Sequence, residues 1–279
     1  MRVYASIAAE LSAVPWPIVP IRPDSNAPRL VERCCLSYLP SVATIAASSR
    51  DSDQATLWPF LLSCDYMSDH AERPYLEVKP RAAWRLLGTP VHASSNGKVQ
   101  LATLENLAAA LRTLSPGQPG LAFFRAHHDR RDGDPSISGL DLQNATFQAG
   151  MLWVTDGATG QPILPVPSRV ILSCCSSAPT AERSGAESLG LVSGCLRSGA
   201  NHVFATGVDV PNASFTNAWD DMLIELMLTA DDPVRALRDL QLRMLREWQV
   251  YSLRGSADDM YDIRDPLPIV WAYYQAYGI

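Results

Sequence analysis

The sequence predicts an α/β fold, a central and mainly parallel sheet with helices packed on both faces. Three observations predict it. Continuous apolar runs such as LWPFLLSCDY, GLAFFRA and SRVILSCC have the length and composition of strands buried on both faces. Amphipathic helical segments stand between such runs, and strands alternating with helices build parallel sheets covered on both sides. Hydrophobic residues make up 47% of the 279, enough to bury a core in one large domain or two small ones.

The first fifty residues are rich in Pro and Ser with short apolar runs. WPIVPI and CCLSYLPSVATIAA are expected to give strands followed by a short helix. From about residue 58 the pattern becomes regular. LWPFLLSCDY reads as a strand, RAAWRLLG as a helix ended by Gly88, and PVHAS as a short strand. ATLENLAAALRTL reads as an amphipathic helix, with Thr103 as N-cap and Ser115-Pro116-Gly117 ending it. GLAFFRA is a buried strand that delivers His127 and His128 to the polar loop DRRDGDPS, where Arg130-Arg131 reads as a solvated tip. LDLQN and MLWVT are expected as short strands of a hairpin-like region.

SRVILSCC is the clearest strand, LGLVSGCLRSG a helix closed by Gly199, and HVFATGVDV another strand. NAWDDMLIELMLTA places Trp219, Met222, Leu223, Leu226 and Met227 on one helical face, which reads as core. Asp232-Pro233 restarts a helix in the N-cap and N1 roles. PIVWAYYQAYG is expected as a last strand near the sheet edge.

Composition narrows the function. Charged residues are 19%, the formal net charge is −6 and no basic stripe stands out, so no nucleic-acid partner is expected. No run of eighteen apolar residues predicts a membrane span. MRVYASIAAELSAVPWP lacks a charged leader before a long apolar core, and Glu10 interrupts the candidate, so no signal peptide is expected. Six cysteines that include two adjacent pairs make a poor disulfide framework, and a reduced, cytoplasmic protein fits them better. C-x-x-C pairs and His partners at zinc spacing are missing, and no phosphate-binding or dinucleotide-binding glycine loop occurs, so neither metal nor cofactor is expected.

Ligands of parallel sheets sit beyond the carboxyl ends of the strands. Two strands here end in reactive residues, GLAFFRA in His127-His128 and SRVILS in Cys174-Cys175. A cysteine peptidase needs a thiolate, an imidazole beside it, and backbone N–H donors for the tetrahedral oxyanion. A His and a Cys at the ends of neighbouring strands meet that requirement. By alternation Cys174 faces away from Cys175 and reads as core.

RVILSCCSS resembles the "V-x-L-S-A-C-x-S/T" segment of CHAT-domain proteins, relatives of caspases and separases, with Cys175 on the nucleophile. FFRAHHD resembles the family's "H-x-x-x-H-G", with His127 on the catalytic histidine, and SGLDLQN resembles the hairpin that follows. GAESLGLVSGCLRSGANHVFATGVDVPNAS, DPVRALRDLQLRML and IVWAYYQAYG resemble three further family segments in the family's order. VPWPIVP and CCLSYLPS resemble two upstream ones. The resemblance implies a caspase-like three-layer sandwich. It implies a catalytic domain over 58–279, with 1–57 as an incomplete, non-catalytic part packed on it. It also implies cysteine endopeptidase activity on a partner protein, in prokaryotic defence or programmed death. The repeats often attached to such domains are absent from the sequence, which implies a separate activator or sensor chain. The rival class is a non-catalytic, caspase-like binding module.

The resemblance puts the oxyanion hole at the backbone N–H groups of His128 and Cys175, although His128 stands where the family has glycine. The family's first histidine is Phe123 here, and its "L-W-x-V-x-D" carries Val208 and Asn212, which the resemblance puts near the substrate. Asp65, at the end of its strand, is either a local cap or a wall of the substrate pocket. Glu187 either favours a helix N-terminus or orients substrate.

Overall fold

The computed structural model describes residues 1–5, 14–23, 27–39, 60–66, 84–90, 99–129, 136–175, 177, 190–210, 214–254 and 268–278. The described strands are β1 (Arg2–Ala5), β2 (Cys35–Tyr38), β3 (Phe60–Asp65), β4 (Trp84–Gly88), β5 (Val99–Leu101), β6 (Gly120–Arg125), β7 (His128–Asp129), β8 (Gly139–Asp141), β9 (Thr146–Gln148), β10 (Arg169–Leu172), β11 (His202–Thr206) and β12 (Tyr274–Gly278). The described helices are α1 (Leu30–Arg33), α2 (Leu104–Leu111), α3 (Leu191–Arg197), α4 (Ser214–Thr229), α5 (Pro233–Arg254) and α6 (Pro268–Trp271).

Nine strands form one sheet in the order β1-β2-β12-β11-β10-β6-β3-β4-β5, and β7-β8-β9 form a small antiparallel sheet. Every pairing in the large sheet is parallel except β11 with β12. The six strands from β11 to β5 therefore run one way and present their carboxyl ends at a common edge.

The central strands are buried on both faces, and strict alternation divides their side chains. Leu62, Ala122, Phe124, Val170 and Val203 pack with Leu107 and Leu111 of α2 and Val192 and Cys195 of α3. Leu61, Phe123, Ile171 and Phe204 pack with Trp219, Leu223 and Met227 of α4, Leu237 of α5 and Trp271 of α6. The three-layer α/β sandwich follows from this division. The caps are also as the sequence suggests. Thr103 Oγ1 accepts from the Asn106 N–H (3.2 Å) at the start of α2, and Asp232 Oδ1 accepts from the Arg235 N–H (3.0 Å) at the start of α5. Gly199 closes α3 at φ +122°, and a Cβ there would lie 2.3 Å from the Gly117 nitrogen.

Four local expectations are corrected. RAAWRLLG ends in strand β4 rather than a helix. Trp84, Leu86 and Leu87 are buried while Arg85 reaches over the Phe60 ring (5.0 Å) and donates to the Ala110 carbonyl (3.2 Å) near the end of α2. Ladder pairing with β3 and β5 and this long-range cap override a good helical composition. MLWVT lies mostly in a 3₁₀ segment, Ala149–Trp153, which sets Leu152 against Gly194 of α3 and lets the Ser198 hydroxyl donate to the Leu152 carbonyl (2.7 Å). WPIVPI starts as a 3₁₀ turn, Trp16–Ile18, because its prolines cannot donate to a ladder. The last run begins as α6 and only then becomes β12, which is interior to the sheet, with β2 and β1 beyond it. Gln241 Nε2 holds that reversal by donating to the Trp271 and Tyr274 carbonyls, each at 3.0 Å. The PVHAS expectation, the helix after CCLSYLP and Arg130-Arg131 lie outside the described residues.

Gly199→Ala is expected to lower stability by about 2 kcal/mol or more, since it combines a disfavoured φ with a backbone clash. Gly157→Ala, where a Cβ meets nothing within 4 Å, is expected to stay within about 0.5 kcal/mol. Urea denaturation midpoints of the two variants check this. A second expectation concerns acid. Burial, with a smaller contribution from Arg169, pushes the His202 pKa down to about 4 from 6.5. Its Nδ1 is enclosed with no hydrogen-bond partner among the described residues. Below pH 6.5 the unfolded chain binds a proton at His202 that the folded chain does not. This stability is therefore complete above that pH and is lost as pH falls towards 4. Between pH 7 and 5 the loss is about 2 kcal/mol, and His202→Asn should flatten that part of the stability–pH curve.

Candidate active site

β6 and β10 are neighbours at the centre of the sheet. Their register runs from Arg169↔Leu121 to Leu172↔Phe124, an offset of 48 positions. The Ser173 N–H donating to the Phe124 carbonyl (2.9 Å) carries the ladder on. The same offset, continued past the last ladder pair, puts Cys175 level with His127. Both residues have the parity of Phe123 and Ile171, the face covered by α4 and α5.

His127 stands at the junction of β6 and β7. Its carbonyl accepts from the Asp141 N–H (2.8 Å), so β8 pins the backbone while the side chain is exposed. That bond makes the next pair, His128↔Leu140, a non-hydrogen-bonded one, so the His128 N–H points away from β8. The His128 ring is the group that reaches the cysteine turn, its Nδ1 lying 2.9 Å from the Cys175 carbonyl. A carbonyl only accepts, so Nδ1 carries the proton and donates. Sequence reasoning places the His128 backbone at the oxyanion hole and ranks its ring behind His127 for the imidazole role, and it does not foresee the contact with the Cys175 carbonyl.

Two other side chains, those of Thr206 and Ser177, hold this turn by its backbone and are linked to each other. Thr206 Oγ1 donates to the Cys174 carbonyl (2.6 Å), Ser177 Oγ donates to the Leu172 carbonyl (3.0 Å), and the Thr206 N–H donates to Ser177 Oγ (3.1 Å). The Cys175 sulfur is half-buried and 3.8 Å from the Val210 carbonyl, two residues beyond the half-buried Val208. Cys174 is in the core, its sulfur 3.5 Å from the Phe124 carbonyl, and burial raises its pKa well above the thiol range. Asp65 is 7% exposed and pairs in register with Arg125. Glu187 and Asn212 lie outside the described residues.

Below the His–Cys level lies a polar cluster that the sequence reading passed over. Arg125 (2% exposed) donates through Nη1 to Asp220 Oδ2 (3.0 Å) and to Asn217 Oδ1. The Ser173 hydroxyl donates to Asp220 Oδ1 (2.7 Å), and the Tyr274 hydroxyl lies 3.1 Å from the same oxygen. Burial, reinforced by Asp220, holds the Tyr274 phenol well above its usual pKa, so it stays a neutral donor. The available signal was a pair of buried charges, an arginine inside GLAFFRA and an aspartate on the apolar stripe of α4.

Comparison with known families decides the kinship, because the CHAT domain profile matches residues 2–279. The chain belongs to the CHAT-domain family. Its fold is the caspase-like α/β fold of these peptidase relatives, and the CHAT match spans β1 and β2 as well as the central strands. No curated protein matches the chain. Among its described residues no group of His, Cys, Asp or Glu is placed to hold a metal ion, and no helix is long and apolar enough to cross a membrane.

The thiols of this CHAT domain should separate by environment. Burial pushes Cys64 and Cys195 up to about 12, Asp65 adding to the effect at Cys64, whereas Cys175 and Cys35 are only half-buried. Brief iodoacetamide treatment of the folded protein at pH 8 should label Cys175 and Cys35 at least about tenfold faster than Cys64, Cys174 and Cys195, as read by peptide mass mapping.

Proposed function

We propose that the chain is a cysteine endopeptidase that cleaves a partner protein through a thioester on Cys175. His127 accepts the thiol proton, the sulfur attacks the peptide carbonyl, and the oxyanion is held by the backbone N–H groups of His128 and Cys175. His127 then protonates the leaving amine, and water hydrolyses the thioester. The observation that supports this reading is the β6–β10 register, whose offset of 48, extended beyond its last pair Leu172↔Phe124, matches the spacing of His127 and Cys175. The direction of the His128 N–H, away from β8, supports its share of the oxyanion hole. One observation favours the second reading, a non-catalytic binding module. It is the His128 ring bonded at the Cys175 carbonyl, where the family's glycine leaves space.

Asp65, Glu187, Val208 and Asn212 are proposed to line the substrate site. A pocket walled by the nearly enclosed Asp65 would take a basic or polar residue before the cleaved bond, and one set by Val208 and Asn212 a neutral residue, which is the preference proposed. Kinship with CHAT peptidases supports a cytoplasmic role in prokaryotic defence or programmed death under a separate activator chain, with residues 1–57 as the non-catalytic part.

The test is a panel of peptidyl acyloxymethyl ketones varied at the residue before the warhead. Expected are labelling of Cys175 with a preference for neutral residues and a fall of about 10³-fold or more in His127→Ala. An arginine preference would overturn the neutral preference and make Asp65 the wall that selects it. Labelling no faster than that of Cys35 would overturn the peptidase reading in favour of the binding module. Labelling that survives His127→Ala but not His128→Gly would move the imidazole role to His128.

A further inference from the structure

The Asp220 carboxylate is bound from three strands at once. Arg125 comes from β6, Ser173 from the end of β10, and Tyr274 from β12, while Asp220 itself hangs from α4 with no exposed surface. Two of these residues occupy corresponding places. Arg125 precedes His127 by two positions and Ser173 precedes Cys175 by two, and the register offset sets Arg125 level with Ser173. Arg125 and Ser173 lie on one sheet face, the one on which Asp220 of α4 meets both. Asp220 thus ties together the two strand ends that carry the proposed dyad, one residue pair below it.

A purely stabilising role accounts poorly for this. Burying two ions costs several kcal/mol of desolvation each, and apolar side chains of similar volume often stabilise as well or better. What an ion pair adds is direction. Oδ1 and Oδ2 each accept along fixed lines, so the lateral separation of β6 and β10 is set where the ladder ends. Asn217, one turn earlier on α4, accepts from the same Arg125 nitrogen and fixes the guanidinium from a second point.

We propose that Asp220 is a positioning residue, which through Arg125 and Ser173 sets the spacing of His127 and Cys175. The inference rests on the peptidase reading above and names no new group touching substrate. The consequence is chemical. An imidazole held at one spacing from the thiol promotes the thiolate near neutrality, and a loosened spacing removes that help without removing the sulfur.

The experiment measures iodoacetamide alkylation of the full chain against pH, with Cys35 as the internal half-buried thiol and Cys174 as a sentinel of lost packing. In the wild type, Cys175 should react faster than Cys35 at pH 7 and lose that advantage in His127→Ala. The paired replacement Arg125→Met with Asp220→Leu removes both charges and leaves the Ser173 and Tyr274 hydroxyls, 2.8 Å apart, to each other. It should fold with Cys174 still protected. Its Cys175 rate should fall about tenfold at pH 7 and stay within about twofold at pH 9.5. Ser173→Ala, which keeps the Arg125–Asp220 pair and removes only the β10 tether, should show the same pH-selective loss at about threefold and decides the matter if the paired replacement does not fold. An unchanged pH–rate profile in a folded variant, beside a fast wild type, overturns the positioning role alone. A wild-type Cys175 no faster than Cys35 overturns the peptidase reading and the positioning role with it.

Discussion

The register between β6 and β10 is the constraint on which the rest depends. Both strands lie mid-sheet with no solvated face, so each residue must suit one of two different packing layers. Ala122, Phe124 and Ala126 fit the side of α2 and α3, and Phe123 and Arg125 fit the side of α4. A slip of one residue would drive the Arg125 guanidinium into an apolar layer with no carboxylate and turn two aromatic rings towards the wrong helices. The cost of that exchange fixes the offset. Once it is fixed, the Ser173 N–H bond to the Phe124 carbonyl carries it one step on, to Arg125 level with Ser173.

The same constraint explains where the buried polar groups sit. Asp65 on β3, Arg125 on β6 and Ser173 after β10 fall at one level, and Thr206 and Tyr274 continue it across β11 and β12. All are nearly enclosed. They occupy the boundary between the apolar core and the open strand ends, where partners from α4 and from loop backbone are within reach. Deeper in the sheet the same groups would have only hydrocarbon for neighbours, and further out they would be solvated and fix nothing.

Much of this was legible in the sequence, and the parts that were not have identifiable causes. LWPFLLSCDY, GLAFFRA and SRVILSCC are read correctly because burial on both faces leaves a continuous apolar signature. Thr103, Gly199 and Asp232-Pro233 are read correctly because caps act within a few residues. The family and its fold were readable because a series of local patterns recurs in order. RAAWRLLG was misread because what makes Trp84–Gly88 a strand is the ladder to β3 and β5, together with the contacts of Arg85 to Phe60 and to the end of α2, all distant in the chain. β12, expected near the sheet edge, stands third from it, and the two strands outside it were not legible for a related reason. Its neighbour β2 lies more than two hundred positions earlier, and the Tyr38–Tyr277 ring contact (5.5 Å) that joins them leaves no local mark. For the candidate site, His127 and Cys175 stand out in the sequence by residue type at two strand ends, and it is the family resemblance that singles them out. The Asp220 cluster joins side chains from four elements and the His128 ring contact joins β7 to the turn after β10, and neither carries a periodic signal.

Cys174 and Cys175 show how the fold assigns opposite fates to one residue type in adjacent positions. Alternation sends Cys174 into the α2–α3 layer, where burial keeps its thiol protonated and inert. The next residue would ordinarily begin a helix or a regular turn, whose backbone bonds would satisfy the free carbonyls. Here the Ser177 N–H makes one such bond, to the Cys174 carbonyl (3.3 Å), and side chains add the rest, with Ser177 at Leu172, Thr206 at Cys174 and His128 at Cys175. The Cys175 sulfur is left half-buried, 3.8 Å from the Val210 carbonyl, while hydroxyls and one imidazole from neighbouring strands hold the backbone of its turn. A held backbone beneath a half-buried sulfur suits the nucleophile proposed above, since a reactive thiol must be both positioned and reachable.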